Sequence, residues 1–287
     1  MTSESQLDQV RGVLTKAFPA DRCEKVVLAK DGWDNLVAIA DERRVYRIPR
    51  RSDYPRFQER WALEKLRDRV TLAVPRIDRW SDDPPCMGYP LLPGILALPE
   101  WLAEPAPAWI DDLARSLAEF LFQCHQTISL NQAKTAGLRE FRLSPFSFQE
   151  LMDRAVDMNP ADKHYAETLF RKAEEKGASE PQSFLYGDLH LGNLLFDPVS
   201  RRVTAVLDFG NVCWGDLSME LYDLAGFWPK LCDAIVHEYE RLSGIRINRA
   251  QARRHAAIFC LSVFAEEKLS FMRPSAIKRI RKLMESE

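Results

Sequence analysis

The sequence predicts an α+β fold of two lobes, in which a small antiparallel sheet precedes a larger, mainly helical part. Three short apolar runs separated by turn residues lie between positions 25 and 48, a pattern typical of an antiparallel meander. From Trp109 onward, apolar residues recur chiefly at helical spacing. A stretch that contains Pro and Gly, 90–94, separates the two patterns. We therefore expect an N-terminal lobe over 1–91 and a C-terminal lobe over 92–287.

Local patterning predicts each element of the N-terminal lobe. Leu7, Val10, Leu14 and Phe18 recur at helical spacing, and Pro19 ends that helix. Gly, Asp and Asn residues mark the turns between the strands. The predicted helices are 7–18 and 55–70, and the predicted strands are 25–29, 36–40, 44–48, 77–80 and 86–89.

The C-terminal lobe is predicted to be helical apart from one hairpin. Two apolar runs, 193–196 and 203–207, flank a turn that contains Asp197 and Pro198, which is typical of a β hairpin. Helical patterns cover 109–126, 146–177, 218–243 and 248–285.

Composition limits the classes of partner. With 287 residues, 46% hydrophobic and 29% charged, the chain has the make-up of a globular protein. The net charge of -2 argues against a nucleic-acid partner, because nucleic-acid-binding surfaces are basic. The six cysteines lack the paired spacing of a zinc site, and prolines interrupt the most apolar stretch, 89–102. We expect a soluble, cytoplasmic protein with no membrane or nucleic-acid partner; the oligomeric state stays open.

The segment that carries chemistry is Tyr186–Asn193, followed by the predicted hairpin and then Asp208–Gly210. Phosphoryl transfer needs a group that orients a hydroxyl and accepts its proton, together with oxygen ligands that hold Mg²⁺ against nucleotide phosphates. In a tight loop, Asp188 can direct its carboxylate at a substrate while Asn193 directs an amide oxygen at a metal. The hairpin returns a second carboxylate, Asp208, to the same place. The order and spacing of these groups carry more weight than any single residue.

This block resembles the catalytic segment of the aminoglycoside/macrolide phosphotransferase family, which reads His-Gly-Asp-Leu-His-x-Gly-Asn, then a hairpin, then Ile-Asp-Phe/Trp. Gly215–Asp216 and Asp223–Ala225 resemble the stretch that follows in the family. The resemblance implies a protein-kinase-like fold, a Mg²⁺-dependent reaction, and ATP or GTP as phosphate donor. It also implies Asp188 as the catalytic base, with Asn193 and Asp208 as magnesium ligands.

The N-terminal lobe carries further matches to the family. A Gly-x-Asp-Asn turn lies where the family places its nucleotide-covering hairpin, and glycine permits close backbone approach to phosphate. An arginine occupies the strand position of the usual phosphate-binding lysine, a glutamate occupies the helix position of its partner, and 87–94 resembles the lobe connector that binds the nucleobase. The expected nucleotide-binding residues are Gly32, Asp34, Asn35, Arg47, Glu59, Tyr89 and Leu91.

Three residues depart from the family pattern in ways that bear on activity. Tyr186 stands in place of the usual His, and Glu220 in place of a frequent Asp. Arg47 replaces the usual Lys, although Arg can still bridge phosphate and carboxylate. A nucleotide-binding pseudokinase that acts as a scaffold is therefore an alternative, against which the retained base and metal ligands argue.

The acceptor is the least defined part of the reaction. We expect transfer of the nucleotide γ-phosphate to a hydroxyl of a small molecule, first of all an aminoglycoside or macrolide antibiotic, which would make the chain an antibiotic-resistance enzyme. Apolar residues (Trp214, Phe227, Trp228) suit a macrolide or the core, and the same fold serves homoserine, choline and other metabolite kinases. The acidic residues that would attract a cationic aminoglycoside are Asp216, Glu220, Asp223, Glu238, Glu240, Glu266 and Glu267.

Overall fold

The computed structural model describes residues 3–21, 23–29, 34–103, 105–175 and 181–285. It confirms the α+β class: an antiparallel sheet with two helices forms the N-terminal part, and the remainder is mainly helical. Gly32 lies outside the described residues, so its expected place over the phosphates stays a prediction. Within the described ranges, no helix combines the length and the apolar character needed to cross a bilayer.

The N-terminal elements follow the predicted order, with ends that shift by a few residues. They are α1 (Ser3–Ala17), β1 (Val26–Leu28), β2 (Asn35–Ala40), β3 (Arg44–Pro49), α2 (Arg56–Leu66), β4 (Arg79–Asp82) and β5 (Pro85–Pro90). The strands form one sheet in the order β1–β2–β3–β5–β4, and every neighbouring pair is antiparallel. β3 therefore lies at the centre of the sheet, where its position is fixed from both sides.

The two N-terminal helices belong to different cores. α1 buries Val10 and Leu14 against the sheet in a small core of its own. α2 instead buries Leu63 and Leu66 in the large core that continues through the helical part of the molecule. Because α2 packs against the C-terminal part, Glu59 on this helix is held at the junction of the two lobes.

The C-terminal part is built around α4, whose buried side chains lie in the middle of the large core. Its helices are α3 (Pro99–Ala103), α4 (Pro107–Thr127), α5 (Leu130–Thr135), α6 (Phe148–Arg154), α7 (Pro160–Glu175), α8 (Tyr222–Phe227), α9 (Pro229–Ser243), α10 (Arg249–Ala265) and α11 (Arg273–Glu285). All six cysteines are free thiols, and five of them are buried.

Three of the long predicted helices are divided. The predicted helix 146–177 is two helices, because Pro160 begins α7 and cannot continue a helix that precedes it. The predicted helix 218–243 is a 3₁₀ segment, Leu217–Leu221, followed by α8 and α9. The predicted helix 248–285 is interrupted at Glu266, and a short 3₁₀ segment, Glu267–Met272, precedes α11. In each case the apolar periodicity predicted the helical type correctly and missed the break.

Two small sheets position the chemistry-bearing segment. The predicted hairpin is confirmed as β7 (Leu194–Phe196) paired with β8 (Val203–Val206). The sequence did not predict β6 (Gln182–Leu185) or β9 (Cys213–Asp216), which pair antiparallel although 27 residues, 186–212, lie between them in the chain. β6 leads into Tyr186–Asn193 and β9 follows Asp208–Gly210, so this pairing brings the two halves of the segment together.

Candidate active site

The loop after β6 is shaped by one glycine. Gly187 has φ +82°, a backbone conformation that residues with a Cβ adopt rarely. A Cβ at this position would lie 2.5 Å from the carbonyl oxygen of Asn211. Glycine therefore lets the loop pass directly against the chain that follows Asp208, which places Asp188 beside that chain.

A buried carboxylate, that of Glu220, hydrogen-bonds to the backbone of the loop that follows β6. Glu220 is 1% exposed and accepts hydrogen bonds from the backbone N–H groups of Tyr186 (2.9 Å) and Gly187 (3.0 Å). Burial raises its pKa to about 7, against the opposing effect of the two N–H donors. Glu220, one of the departures from the family pattern, thus holds the loop that carries Asp188 and is buried away from solvent.

Asp188 and Asn193 are joined inside the loop. The side-chain amide of Asn193 donates to the backbone oxygen (3.1 Å) and to Oδ2 (3.0 Å) of Asp188. His190 accepts from the N–H of Gly192 (3.1 Å) and so braces the turn, with its Nε2 3.8 Å from Asp188 Oδ1. Because the Asn193 nitrogen is used inside the loop, its oxygen is left for another partner.

The ionisation of Asp188 is balanced between opposing effects. Burial raises the pKa of its carboxyl, and the negative charge of Asp208 acts in the same direction. His190 and the side-chain amides of Asn193 and Asn211 lower it. A carboxylate with a raised pKa and hydrogen-bond donors around it suits a group that must accept a proton during a reaction.

Two of the residues around Asp188 were not predicted from the sequence. The side-chain amide of Asn211 lowers the pKa of the Asp188 carboxyl, and its Oδ1 accepts from Arg139 Nη2 (3.0 Å). Since the Asn211 oxygen is taken by Arg139, its nitrogen is the atom that faces Asp188. Asn211 directly follows Asp208–Gly210, and this position is a sequence signal that could have identified it as a site residue. The local sequence around Arg139 contains no such signal.

Asp208 lies across from Asp188 and has φ +53°. Its Oδ1 accepts from Arg47 Nη2 (2.9 Å) and from the backbone N–H of Gly210 (3.2 Å). Its Oδ2 makes no hydrogen bond among the described residues. A free carboxylate oxygen and the free amide oxygen of Asn193 are hard ligands of the kind that Mg²⁺ prefers, so this donor set fits the expected metal.

A buried cluster connects Asp208 to the N-terminal lobe. Arg47 on β3 is 4% exposed and forms an ion pair with Glu59 on α2. Tyr54, which was not predicted, accepts from Arg47 Nη2 (2.7 Å) and donates to Glu59 Oε2 (2.8 Å). Burial opposes the charge of Arg47, but Glu59 and then Asp208 outweigh it and raise the pKa of the guanidinium well above its usual value. The structure thus contains the ion pair between Arg47 and Glu59 that the sequence led us to expect.

The other predicted nucleotide-binding residues surround the cluster of Arg47, Tyr54 and Glu59 in different ways. Asn35 is buried at the start of β2, and its side chain lowers the pKa of the Tyr54 hydroxyl, while its Oδ1 has no hydrogen-bond partner among the described residues. Asp34 lines a cavity of about 270 Å³ that also reaches Gly210 and Asn211, between the two lobes. Tyr89 is buried in β5, opposite Val45.

Leu91 stands apart from the cluster. It is 39% exposed, and its backbone N–H donates to the carbonyl oxygen of Arg43 (2.8 Å). Because this donor is already used within the N-terminal lobe, the Leu91 N–H is not the group that would bind a nucleobase.

The sequence matches a known protein family over most of its length. Residues 25–255 match the model of the family described as APH: Phosphotransferase enzyme family. No curated protein sequence matches the chain.

Three similar solved structures illustrate the likeness in fold. The GDP and kanamycin complex of APH(2")-IIia has 17% identity and a TM-score of 0.73, covering 97% of this chain and 99% of that chain. Macrolide 2'-phosphotransferase MphH from Brachybacterium faecium has 20% identity and a TM-score of 0.65, covering 95% and 97%. The streptomycin-ATP-APH(2")-IIa ternary complex has 13% identity and a TM-score of 0.62, covering 96% and 95%.

These likenesses show the kinase-like fold that the sequence predicts, with its two lobes. The family model extends from the first strand of the sheet to α10, so it includes both lobes and the whole chemistry-bearing segment. The chain therefore belongs to the phosphotransferase enzyme family, whose members are small-molecule kinases.

Proposed function

We propose that the protein transfers the γ-phosphate of ATP or GTP to a hydroxyl of a small molecule, in a reaction that depends on Mg²⁺. The observation that carries this proposal is the cluster of Asp188, Asn193 and Asp208, tied through Arg47 to Glu59. The Asp188 carboxylate has amide groups around it, whereas Asp208 Oδ2 and Asn193 Oδ1 make no hydrogen bond among the described residues. These are the separate requirements of a base and of a metal site.

Each residue has a distinct role in this proposal. Asp188 orients the acceptor hydroxyl and takes its proton through the carboxylate. Asn193 Oδ1 and Asp208 Oδ2 would hold Mg²⁺, which supplies positive charge to the nucleotide phosphates. Arg47 keeps its guanidinium next to Asp208 and steadies the phosphates in the cleft, while Glu59 fixes its orientation. Catalysis then rests on positioning and electrostatics, since the protein forms no covalent bond to the phosphoryl group.

Further features of the proposal follow from the same arrangement. Asp34, Asn35 and Tyr89 belong to the nucleotide side of the cleft, and Gly32 belongs to the turn that covers the phosphates. We propose a lobe boundary between residues 91 and 92, which the end of β5 at Pro90 supports. Similar solved structures are named as complexes with GDP or ATP, and this supports a purine nucleotide as the phosphate donor. The reaction is assigned to the cytoplasm, where these nucleotides are supplied.

The proposed acceptor is taken from the ligands and activities named for the similar solved structures. Similar structures are named as complexes with kanamycin, gentamicin or streptomycin, or as macrolide phosphotransferases. An aminoglycoside or macrolide antibiotic is therefore the first acceptor to test, with antibiotic resistance as the biological role. A metabolite such as homoserine or choline is the second.

The function is tested by incubating the protein with ATP or GTP and Mg²⁺ in the presence of aminoglycosides, macrolides and amino alcohols. Nucleotide diphosphate release and the mass of the acceptor are measured together. We expect one acceptor class to gain the mass of a phosphoryl group, with release that requires Mg²⁺. Nucleotide binding without transfer to any acceptor would instead support the pseudokinase scaffold.

Asn211 provides a test of how Asp188 is held. Its amide donor favours the ionised carboxylate, so Asn211→Ala is expected to raise the pKa of Asp188. Because the base acts only when ionised, the acid limb of the profile of kcat/KM against pH should move to higher pH, by on the order of one pH unit. Arg139→Ala should produce a smaller shift in the same direction, since Arg139 orients Asn211.

The matched control for this prediction is Asn131→Ala, which removes an exposed amide from α5. It should leave the pH profile where it is in the wild type. If Asn211→Ala lowers activity equally at every pH, its role is structural and the assignment to Asp188 is wrong.

A further inference from the structure

Three buried side chains at the junction of the lobes form a closed cycle of hydrogen bonds. Arg47 Nη1 contacts Glu59 Oε1, and Tyr54 Oη donates to Glu59 Oε2 (2.8 Å). Arg47 Nη2 donates to Tyr54 Oη (2.7 Å), which closes the cycle. All three side chains are buried, so water competes little for these groups. The cycle therefore fixes the orientation of each of its members.

The direction of each hydrogen bond in the cycle follows from the groups present. A guanidinium has donors and no acceptor, so the Tyr54 oxygen accepts from Arg47. The single hydroxyl proton of Tyr54 is then donated to Glu59. Burial raises the pKa of the Tyr54 hydroxyl, and the charge of Glu59 raises it further, so the hydroxyl keeps this proton. The hydroxyl is thus both acceptor and donor, and phenylalanine could not replace it in the cycle.

One N–H group of Arg47 lies outside the cycle and is directed at Asp208. Nη2 carries two hydrogens, of which one is donated to Tyr54 and the other to Asp208 Oδ1 (2.9 Å). Without a third partner, a guanidinium and a carboxylate favour a bidentate pair, in which both carboxylate oxygens accept from the guanidinium. The Tyr54 hydroxyl occupies Glu59 Oε2 and so keeps Nη2 available for Asp208.

A glycine makes room for the Tyr54 hydroxyl. A Cβ at Gly210 would overlap Tyr54 Oη and lie 2.8 Å from Cζ of the same ring. The φ angle of Gly210 is not positive, so the backbone alone would permit alanine at this position. The N–H of Gly210 also donates to Asp208 Oδ1 (3.2 Å), the atom that accepts from Arg47. Tyr54 therefore contacts both residues that donate to this oxygen.

We propose that Tyr54 is a positioning residue for phosphate binding. Its hydroxyl prevents Arg47 from forming a bidentate pair with Glu59, and it keeps Nη2 directed at Asp208 and at the nucleotide phosphates that Arg47 contacts. Tyr54 acts through Arg47 and makes no contact with the nucleotide itself. This inference rests on the proposed function, in which Arg47 steadies the phosphates.

The test compares a nucleoside diphosphate with its parent nucleoside. Tyr54→Phe removes only the hydroxyl, so Arg47 can turn Nη2 from Asp208 to the vacated oxygen of Glu59. The affinity for ADP or GDP with Mg²⁺, measured by calorimetry, should fall by about tenfold. The affinity for adenosine or guanosine, measured by displacement, should change by less than about twofold, because a nucleoside carries no phosphate. Equal losses for both ligands, or no loss for the diphosphate, would overturn the inference.

Tyr46→Phe is the matched control. Tyr46 precedes Arg47 on β3 and points to the opposite face of the sheet, where it is buried in the core beneath α1. Its hydroxyl donates to Asp21 (2.7 Å), so this variant also loses one hydrogen bond to a carboxylate. Both affinities should stay at the wild-type values. The midpoint of unfolding in urea reports correct folding of each variant.

A second set of variants tests the contact between Tyr54 and Gly210. In the wild-type background, Gly210→Ala would displace Tyr54 and should weaken diphosphate binding by about tenfold. In Tyr54→Leu, which lacks the overlapping atoms, the same substitution should cost less than about twofold. Equal losses in the two backgrounds would show that Gly210 acts without Tyr54, which would overturn the inference.

The outcomes separate this inference from the proposed function. If Tyr54→Phe weakens diphosphate binding selectively but the wild-type protein transfers phosphate to no acceptor, the positioning role stands and the proposed function fails. If the wild type transfers phosphate and Tyr54→Phe does so with unchanged kcat and unchanged KM for the nucleotide, the function stands and the positioning role is wrong. Absence of diphosphate binding to the wild type would overturn both.

Discussion

Asp188→Asn is expected to lower the rate of phosphate transfer by about 10²–10⁴-fold, because an amide can hold the acceptor hydroxyl but cannot take its proton. The substitution is nearly isosteric. Asp188 is not among the residues proposed to hold the nucleotide or Mg²⁺, so nucleotide affinity should change little. The measurement is kcat for transfer to the acceptor identified in the panel, together with nucleotide affinity by calorimetry.

Two companion variants sharpen this result. Asp8→Asn, an exposed carboxylate on α1, should behave as the wild type. Asp208→Asn should lose transfer as well, but with a higher Mg²⁺ requirement, because a neutral amide is a poorer ligand for a hard cation. Retention of most of the wild-type rate in Asp188→Asn would remove the base from the mechanism.

Arg47→Met is expected to destabilise the protein by about 3–5 kcal/mol, because it leaves the charge of Glu59 buried without its partner. Glu59 is 1% exposed, so water cannot replace the lost guanidinium. The expected measurement is a lower midpoint of unfolding in urea. The same variant should lose phosphate transfer, since the contact with Asp208 is gone.

A second substitution separates stability from function at this pair. Arg47→Met combined with Glu59→Leu should recover most of the lost stability, because no unpaired charge remains, but it should not recover transfer. Arg60→Met is the matched control: it breaks the exposed pair with Glu64 on the same helix and should cost less than about 1 kcal/mol. If Arg47→Met unfolds at the wild-type urea concentration, the buried ion pair is not a stability determinant.

The parts of the site that the sequence predicted are those set by local geometry. Asp188 and Asn193 occupy one loop, so their spacing alone keeps them together. Asp208 follows a hairpin whose strand pattern and turn residues are visible in the sequence, and this hairpin turns the chain back towards the loop. The pairing of β6 with β9, which the sequence did not predict, completes the approach. Arg47 and Glu59 depended on the resemblance to a known family.

The parts that were missed depend on packing between distant segments. β6 and β9 are four residues long, and their pairing is decided by the core beneath them and not by their own patterns. Tyr54 reaches Arg47 and Glu59 from the turn just before α2, a contact that no motif in the sequence marks. Arg139 reaches Asn211 because its segment pairs beside Trp214. No local periodicity encodes such contacts.

The bond between Arg47 and Asp208 joins the lobes at the proposed metal ligand itself. Opening the cleft would lengthen this bond. A displacement of Asp208 would also shift the Arg47 guanidinium, which contacts Glu59 on α2 and belongs to β3. In the proposed binding mode, occupancy of the cleft by nucleotide and occupancy of the metal position would be thermodynamically linked, and each would alter the affinity for the other by the same factor. Arg47, a single side chain of the N-terminal sheet, would carry this coupling between donor and metal.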